Sequence, residues 1–326
     1  MTLLLFSYAD DYSFDVKSFE KKSFELNGFI RTENRHVERD FQQDSYRQNK
    51  DEFNLNGFYD KDIFNIKYSF SQHYLIDSDE SESHNELINE LVQSFGDEKK
   101  RLEVGKKILR LGKGYAYSPL AFFERPRDPI YPELSKEGYW MATAMINQTP
   151  KSKHFKNYTL TAFYLPHYGD NSTLFTHTNS SWGFKGYLLY KDIDIDILLA
   201  QDSQALDFSF NITEAIEVHA EYALKKEIES FLYGVKFQTS SDLTVTFEHY
   251  KTYEKEKNLY LNLAQKEPFS IYYFQLYLTT LYNETLDLYS LQSGGIYDFK
   301  NGFTMDLAAL SSDNAQGIKV LVKYFF

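Results

Sequence analysis

The stretch that decides the fold is Ile318-Lys-Val-Leu-Val-Lys-Tyr-Phe-Phe326. Side chains of an extended strand alternate between two faces, so one face carries Ile318, Val320, Val322, Tyr324 and Phe326. Lys319 and Lys323 fall on the other face. An apolar strand edge promotes aggregation of a soluble protein. In a bilayer, a closed barrel pairs such a strand with the first one and turns its apolar face toward lipid.

This alternation resembles the C-terminal strand of Gram-negative outer-membrane β-barrels of the porin-like family. In that family the barrel assembly machinery reads the terminal aromatic residue and the alternating apolar residues before it. The resemblance therefore implies an outer-membrane location, with membrane lipid and lipopolysaccharide as surroundings. It also implies that Tyr324 and Phe326 belong to an assembly signal. A homotrimer is compatible with this resemblance.

The composition fits a membrane barrel better than other classes. The 326 residues contain 27 Tyr and 28 Phe, and barrels place aromatic girdles at both membrane interfaces. No apolar run approaches the ~20 residues of a membrane helix. A net charge of −12 argues against a nucleic-acid partner. The absence of Cys fits an exported protein, and no cofactor motif is present.

The amino-terminal residues 1–9 predict the remnant of a signal peptide. A short apolar run, Thr2 to Phe6, precedes Ser7-Tyr8-Ala9, whose small residues have the spacing of a signal-peptidase site. The basic region and most of the apolar core of a full signal are missing. A partly apolar, frayed terminus is the alternative interpretation.

Alternating segments joined by polar turns fill most of the remaining chain. The first predicted strand spans residues 23–32, and residues 86–95 form the weakest strand because their charge pattern also suits a helix. We count about eighteen strands, with sixteen as the alternative. Residues 10–326 are therefore predicted to form a single all-β domain, a transmembrane antiparallel β-barrel.

The long loops are predicted to share one side of the barrel. With Phe326 at the periplasmic end, every second connection is external. The external set then contains residues 33–51, 77–84, 110–137 and 166–180, whereas the other set contains mostly short turns. Outer-membrane barrels sort their loops in this way, and a soluble sandwich has no reason to do so.

The polar strand faces in the second half of the chain predict an acidic lumen wall. Seven carboxylates belong to it: Asp192, Asp194, Asp196, Asp207, Glu217, Glu221 and Glu248. The first three resemble the start of an EF-hand loop, but Gly at its sixth position and Glu at its twelfth are absent. A hydrated acidic wall without a metal is therefore the prediction, and divalent cation binding is the alternative.

Basic residues gather in a different segment. Residues 106–127 carry six of them, opposed by Glu124 alone. This segment overlaps the third external loop, residues 110–137, which in porin-type barrels often folds into the lumen. We predict a pore constriction that includes Lys107, Arg110, Lys113, Arg125 and Arg127, facing the acidic wall. The alternative places these residues outside, where they would bind lipopolysaccharide.

Catalysis has little support in the sequence. The eight His show no metal-binding spacing, and no Gly-x-Ser-x-Gly elbow is present. Ser209 with His219 or His249 is the nearest approach to a nucleophile and base. We predict a porin for passive diffusion of small polar solutes, of anionic or zwitterionic character. An export channel for an anionic polymer and an adhesin or receptor with a closed lumen are the alternatives.

Overall fold

The computed structural model describes residues 23–39, 44–61, 64–77, 82–124, 137–167, 181–253 and 256–326. These residues form one antiparallel sheet of eighteen strands. The strands are β1 Phe24–Arg39, β2 Asp44–Lys61, β3 Phe64–Asp77, β4 Glu82–Gly96, β5 Lys100–Lys107, β6 Tyr139–Gln148, β7 Phe155–Leu165, β8 Ser181–Tyr190, β9 Ile193–Ala200, β10 Ser203–Thr213, β11 Ile216–Lys225, β12 Ile228–Gln238, β13 Leu243–Thr252, β14 Lys257–Lys266, β15 Phe274–Asn283, β16 Leu288–Asp298, β17 Phe303–Ser312 and β18 Ala315–Phe325. A 3₁₀ turn covers Pro268–Ser270.

The sheet closes because each strand pairs with its neighbours in sequence and β1 also pairs with β18. Phe29 lies opposite Phe325, and the pairing continues to Arg39 opposite Ala315. Gly28 and Phe326 extend this ladder by exchanging two backbone hydrogen bonds of 3.0 Å. The prediction of eighteen strands, rather than sixteen, is confirmed.

Alternation along each strand separates an apolar outer surface from a polar lumen. On β10, Leu206 is 44% exposed and Phe208 is 39% exposed, whereas Asp207 is 0% exposed and Ser209 is 8% exposed. A closed ladder leaves no edge, and an apolar outer belt is the surface that a bilayer solvates. No helix in the described ranges is long and apolar enough to cross a membrane.

We call the two ends of the barrel the terminal end, which carries Phe24 and Phe326, and the loop end. The connections after β1, β3, β5 and β7 lie at the loop end, because successive strands run in opposite directions. The four predicted long loops therefore share one end. Residues 1–9 lie outside the described residues.

One sequence prediction near the start was wrong in extent. The predicted loop 33–51 is mostly strand, since Thr32 to Arg39 pair with Asp44 to Asp51. Residues 86–95, the weakest of the predicted strands, do belong to a strand, β4, so that prediction is confirmed. Ladder pairing continues in this part of β1 and β2 although their outward-facing residues are polar, so the apolar alternation that marks a strand is missing there.

Candidate functional site in the barrel lumen

The chain enters the lumen directly after β5. We call residues 108–124 the lumen loop. Its side chains Leu111 and Leu120 are 1% and 0% exposed. They belong to one apolar cluster with inward-facing residues of β6 to β11, namely Met141, Phe163, Leu165, Leu198, Ala205 and Ala223. The loop therefore has a small core of its own, built against the inner wall of the barrel.

The carboxylate of Glu221 on β11 anchors the first part of the lumen loop. One oxygen accepts hydrogen bonds from the backbone N–H of Lys113 at 2.5 Å and of Gly114 at 2.6 Å. The other accepts from the Ser118 hydroxyl at 3.0 Å and from the Leu120 N–H at 3.4 Å. Four donors on one buried carboxylate offset much of the cost of taking its charge out of water.

Glu248 on β13 anchors the following residues. Its carboxylate accepts from the N–H of Tyr115 at 2.5 Å, of Ala116 at 2.9 Å and of Tyr117 at 3.4 Å. His219 contributes Nε2 at 3.0 Å from the same carboxylate. Glu221 and Glu248 together accept from consecutive backbone N–H groups. They therefore fix the path of the loop over several residues and not only at one contact.

Gly112 permits this close approach. Its φ is +81°, a backbone conformation that side chains disfavour. A Cβ atom at this position would lie 2.1 Å from Ser118 Oγ and 2.6 Å from Glu221 Oε1. Any larger residue would push the loop away from its anchor.

Lys113 brings a positive charge onto a row of carboxylates. Asp207 lies opposite Asp196 in one ladder and opposite Glu221 in the next. Lys113 Nζ is 3.0 Å from Asp196, and Lys185 Nζ is 3.1 Å from the same carboxylate. Burial lowers the pKa of the Lys113 ammonium, but these carboxylates outweigh burial and raise its pKa.

Two tyrosines of the loop contact the wall through their rings and hydroxyls. The Tyr115 hydroxyl donates to Glu217 at 3.2 Å and accepts from Lys236 Nζ at 3.3 Å. Tyr117 stacks on Tyr250 with ring centroids 5.1 Å apart. Burial raises the pKa of both loop phenols, to about 12 for Tyr117, with further contributions from nearby carboxylates.

A second charged region lies on the opposite arc of the barrel, on the inner faces of β1 and β18. Arg31 lies opposite Lys323, and Arg35 lies opposite Lys319. We call these four residues the basic wall. Arg31 pairs with Glu52, Arg35 with Glu33, and Lys319 with Asp306 at 2.5 Å. Lys323 Nζ lies 3.9 Å from the ring centroid of Phe29.

The lumen also contains an open space on the side of the first strands. A cavity of about 700 Å³ lies along the inner faces of β1 to β5. Side-chain amides and charged groups of both signs line it, including Asn27, Asn56, Asn65, Lys67 and Glu103. A lining of this kind holds water and polar solutes rather than apolar ones.

Comparison with known proteins identifies the architecture. No family model matches the chain, and no curated protein matches it. Several solved structures do match it. Pseudomonas aeruginosa OccK2 (OpdF) in complex with glucuronate has a TM-score of 0.63 at 9% identity, over 93% of this chain and 96% of that chain. P. aeruginosa OccK5 (OpdH) has a TM-score of 0.61 at 11% identity, over 93% and 98%. A mutant of the Rh. blastica porin has a TM-score of 0.54 at 13% identity, over 93% and 100%.

This chain has the porin fold. The predicted all-β, porin-like barrel is thereby confirmed at the level of fold. The closed ladder and apolar outer belt are those of a barrel that spans the outer membrane.

The porin fold brings together only some of the predicted site residues. Asp194, Asp196, Asp207, Glu217, Glu221 and Glu248 do lie on inward strand faces. Asp192 does not, and this prediction was wrong. It lies in the turn after β8, where its side chain is 77% exposed and pairs with Lys156 at 2.6 Å. Strand alternation stops at this turn, so the period-two rule no longer applies.

The predicted constriction residues are dispersed. Lys107 ends β5 and contacts Glu103. Arg110 is the third residue of the lumen loop and has an exposed side chain, and its carbonyl accepts from Lys185 Nζ at 3.3 Å. Arg125 and Arg127 lie outside the described residues. Lys113 contacts the acidic wall directly rather than facing it across an open lumen.

Sequence reasoning missed the basic wall. Alternation from Ile318 already places Lys319 and Lys323 on the inward face of the last strand. Arg35 was hidden because residues 33–51 were predicted as a loop. Treating the first and last strands as neighbours would have joined Arg31 and Arg35 to the two lysines.

Proposed function

We propose that this porin-fold barrel is an outer-membrane channel for passive diffusion of small polar solutes, with a preference for anionic or zwitterionic ones. A lumen narrowed from one side by an anchored loop, with a polar cavity beside the opposite wall, supports a pore that selects by size and charge.

The basic wall carries this proposal. Arg31 and Lys319 are 6% and 1% exposed, so their charges act at reduced screening by water. Both hold carboxylate partners, Glu52 and Asp306. The accessible contact is that of Arg35, whose side chain is 29% exposed. A solute carboxylate can exchange with its partner Glu33, because a guanidinium binds both through the same hydrogen bonds.

The carboxylates beside the basic wall extend the proposal to zwitterions. Glu33, Glu52 and Asp306 lie next to Arg35, Arg31 and Lys319 in contacts of ion-pair length. A solute with both charges can replace one such pair by two complementary contacts. The OccK2 structure, which shares the fold, contains glucuronate, a sugar carboxylate. That ligand supports the same solute class here.

The orientation of the barrel and the position of its constriction are also proposals. We propose that the terminal end faces the periplasm and that Lys107, Arg110 and Lys113 border the narrow part of the pore. Recognition of Tyr324 and Phe326 by the assembly machinery, contact with lipopolysaccharide and a homotrimer remain predictions.

Single-channel recording in a planar bilayer under a KCl gradient tests the channel and its selectivity. The variant Arg35→Gln/Lys319→Gln removes two charges of the basic wall. We expect discrete conductance for both proteins, with a reversal potential shifted toward cation selectivity in the variant. Lys300→Gln, in the turn after β16, is the matched control and should leave the reversal potential unchanged.

Two outcomes contradict the proposal. An identical reversal potential in the double variant would keep the pore but remove the basic wall as its selecting element. Correctly folded protein without any conductance would exclude the channel and favour an adhesin or receptor with a closed lumen.

A further inference from the structure

The outer surface of the barrel is not uniform. Across β5 to β9 it contains an apolar groove of about 860 Å³. Small residues form its floor, namely Ala144, Ala162 and Gly186. Large exposed side chains form its sides, including Leu102, Ile146, Leu160, Phe184, Ile197 and Leu199.

Strand register explains the groove. Ala144 lies directly opposite Ala162, and Gly186 lies between Leu160 and Ile197 in its two ladders. Three small residues on adjacent strands therefore leave a depression that large neighbours border. The backbone ladder beneath is continuous, so the floor is rigid.

The turn between β4 and β5, which carries Lys99 and Lys100 beside Asp97 and Glu98, borders the groove at the terminal end. Lys100 lines the groove and lies opposite Ile146. The turn is held in place by Asp97, whose carboxylate accepts from the N–H of Lys99 and Lys100, each at 2.8 Å. These N–H groups lower the pKa of Asp97, so its charge persists in acid. The Asn147 N–H also donates to the Lys99 carbonyl at 2.8 Å.

We infer that this groove binds one anionic phospholipid, with an acyl chain against Ala144 and Ala162 and the phosphate group beside Lys100. The apolar groove excludes a polar occupant, and the Lys100 ammonium group at its end complements a negative headgroup. A second barrel is a poorer fit, because a concave surface needs a protruding partner and a porin-fold outer wall is convex.

Native mass spectrometry of the full chain in detergent tests this inference. Phosphatidylglycerol and phosphatidylethanolamine with the same acyl chains are added in equal amounts. We expect one retained phosphatidylglycerol per chain. Ala162→Phe should abolish retention by filling the groove, and Lys100→Gln should weaken it about fivefold, as expected for one basic group near a lipid headgroup.

Matched variants on the far side of the barrel serve as controls. Ala309 is also exposed on an outward strand face, so Ala309→Phe should leave retention unchanged. Lys300→Gln should also leave it unchanged. Gel migration with and without heating establishes that each variant folds. Ala162→Phe and the unsubstituted chain should have the same conductance. Failure of the lipid inference can therefore be distinguished from failure of the proposed channel function.

Three outcomes overturn the inference. They are equal retention of both lipids, unchanged retention in Ala162→Phe, and a dimer or trimer that Ala162→Phe dissociates. The last would assign the groove to a second copy of the chain.

Discussion

At the scale of single residues, Glu221 anchors the first part of the lumen loop. It is 3% exposed, and it satisfies three backbone donors and one hydroxyl of the lumen loop. Unpaired buried donors cost about 1–3 kcal/mol each. Removing this one carboxylate therefore releases several loop contacts together.

We predict that Glu221→Ala detaches the lumen loop while leaving the barrel closed. The chain has no Cys, so Ala116→Cys provides a single thiol at a position that is 1% exposed. Maleimide labelling of this thiol should accelerate at least about tenfold in Glu221→Ala, since tenfold corresponds to only about 1.4 kcal/mol.

Glu214 is exposed in the turn after β10, so Glu214→Ala is the control and should label slowly. Slow labelling in Glu221→Ala as well would show that the apolar cluster and Glu248 hold the loop without Glu221.

Strand alternation predicted that Glu221 and Glu248 face the lumen, but it could not predict what they bind. Their partners are backbone N–H groups more than a hundred residues away in sequence. Every residue except proline has such a group, so no side-chain pattern marks these contacts. Gly112 was the one feature of the sequence that could have indicated these contacts, because the backbone of a glycine can approach a carboxylate more closely than that of other residues.

At the scale of elements, the lumen loop behaves as an inserted layer with its own core. Leu120 is 0% exposed between the loop and the wall. We predict that Leu120→Ala destabilises the docked loop by about 2–5 kcal/mol. Hydrogen exchange of the amides in residues 111–123 should accelerate, whereas exchange in β1 to β4 should not change.

Leu160→Ala is the matched control for this change. Leu160 is 57% exposed on the outer face of β7, so its truncation leaves the loop core intact. Exchange in the loop should then remain slow. Equal acceleration in both variants would mean that the loop responds to the general stability of the barrel.

The sequence contained a sign of this layer that alternation alone overlooks. Phe163 and Leu165 face inward on β7, while Leu160 and Tyr164 face outward, so this strand is apolar on both faces. Leu198 repeats the feature on β9. Strands that are apolar on both faces are covered on both sides, so they indicate something packed inside the barrel.

At the scale of the whole molecule, the closing ladder between β1 and β18 depends on a close contact. A Cβ on Gly28 would lie 2.5 Å from Cζ of the Phe326 ring. We predict that Gly28→Ala lowers the free energy of unfolding by about 1–3 kcal/mol, since overpacking has this cost. Urea unfolding followed by tryptophan fluorescence measures it.

Gly186 offers a matched substitution in another outward strand position. Its added Cβ would meet only Leu160, at 3.7 Å. Gly186→Ala should therefore change stability by less than about 1 kcal/mol. Equal effects of the two changes would attribute the loss to strand propensity and not to barrel closure.

The number of strands was predictable because most strands carry apolar residues on every second position between polar turns. Strand ends were less predictable. The first strand was predicted to span residues 23–32, but β1 continues to Arg39. Ladder hydrogen bonds decide where a strand ends, and they form between backbone groups whatever the side chains are.

The pairing of Phe29 with Phe325 also means that this barrel closes only when β18 is in place. Every other ladder joins neighbours in sequence, whereas this one joins almost the two extremes of the described chain. The entropy cost of closing so long a loop grows only slowly with length, but closure must wait until β18 is present. Until then β1 and the latest strand remain open edges that can aggregate. A chain that lacks β18 would consequently not form a slightly smaller barrel. It would remain an open sheet with two unpaired edges.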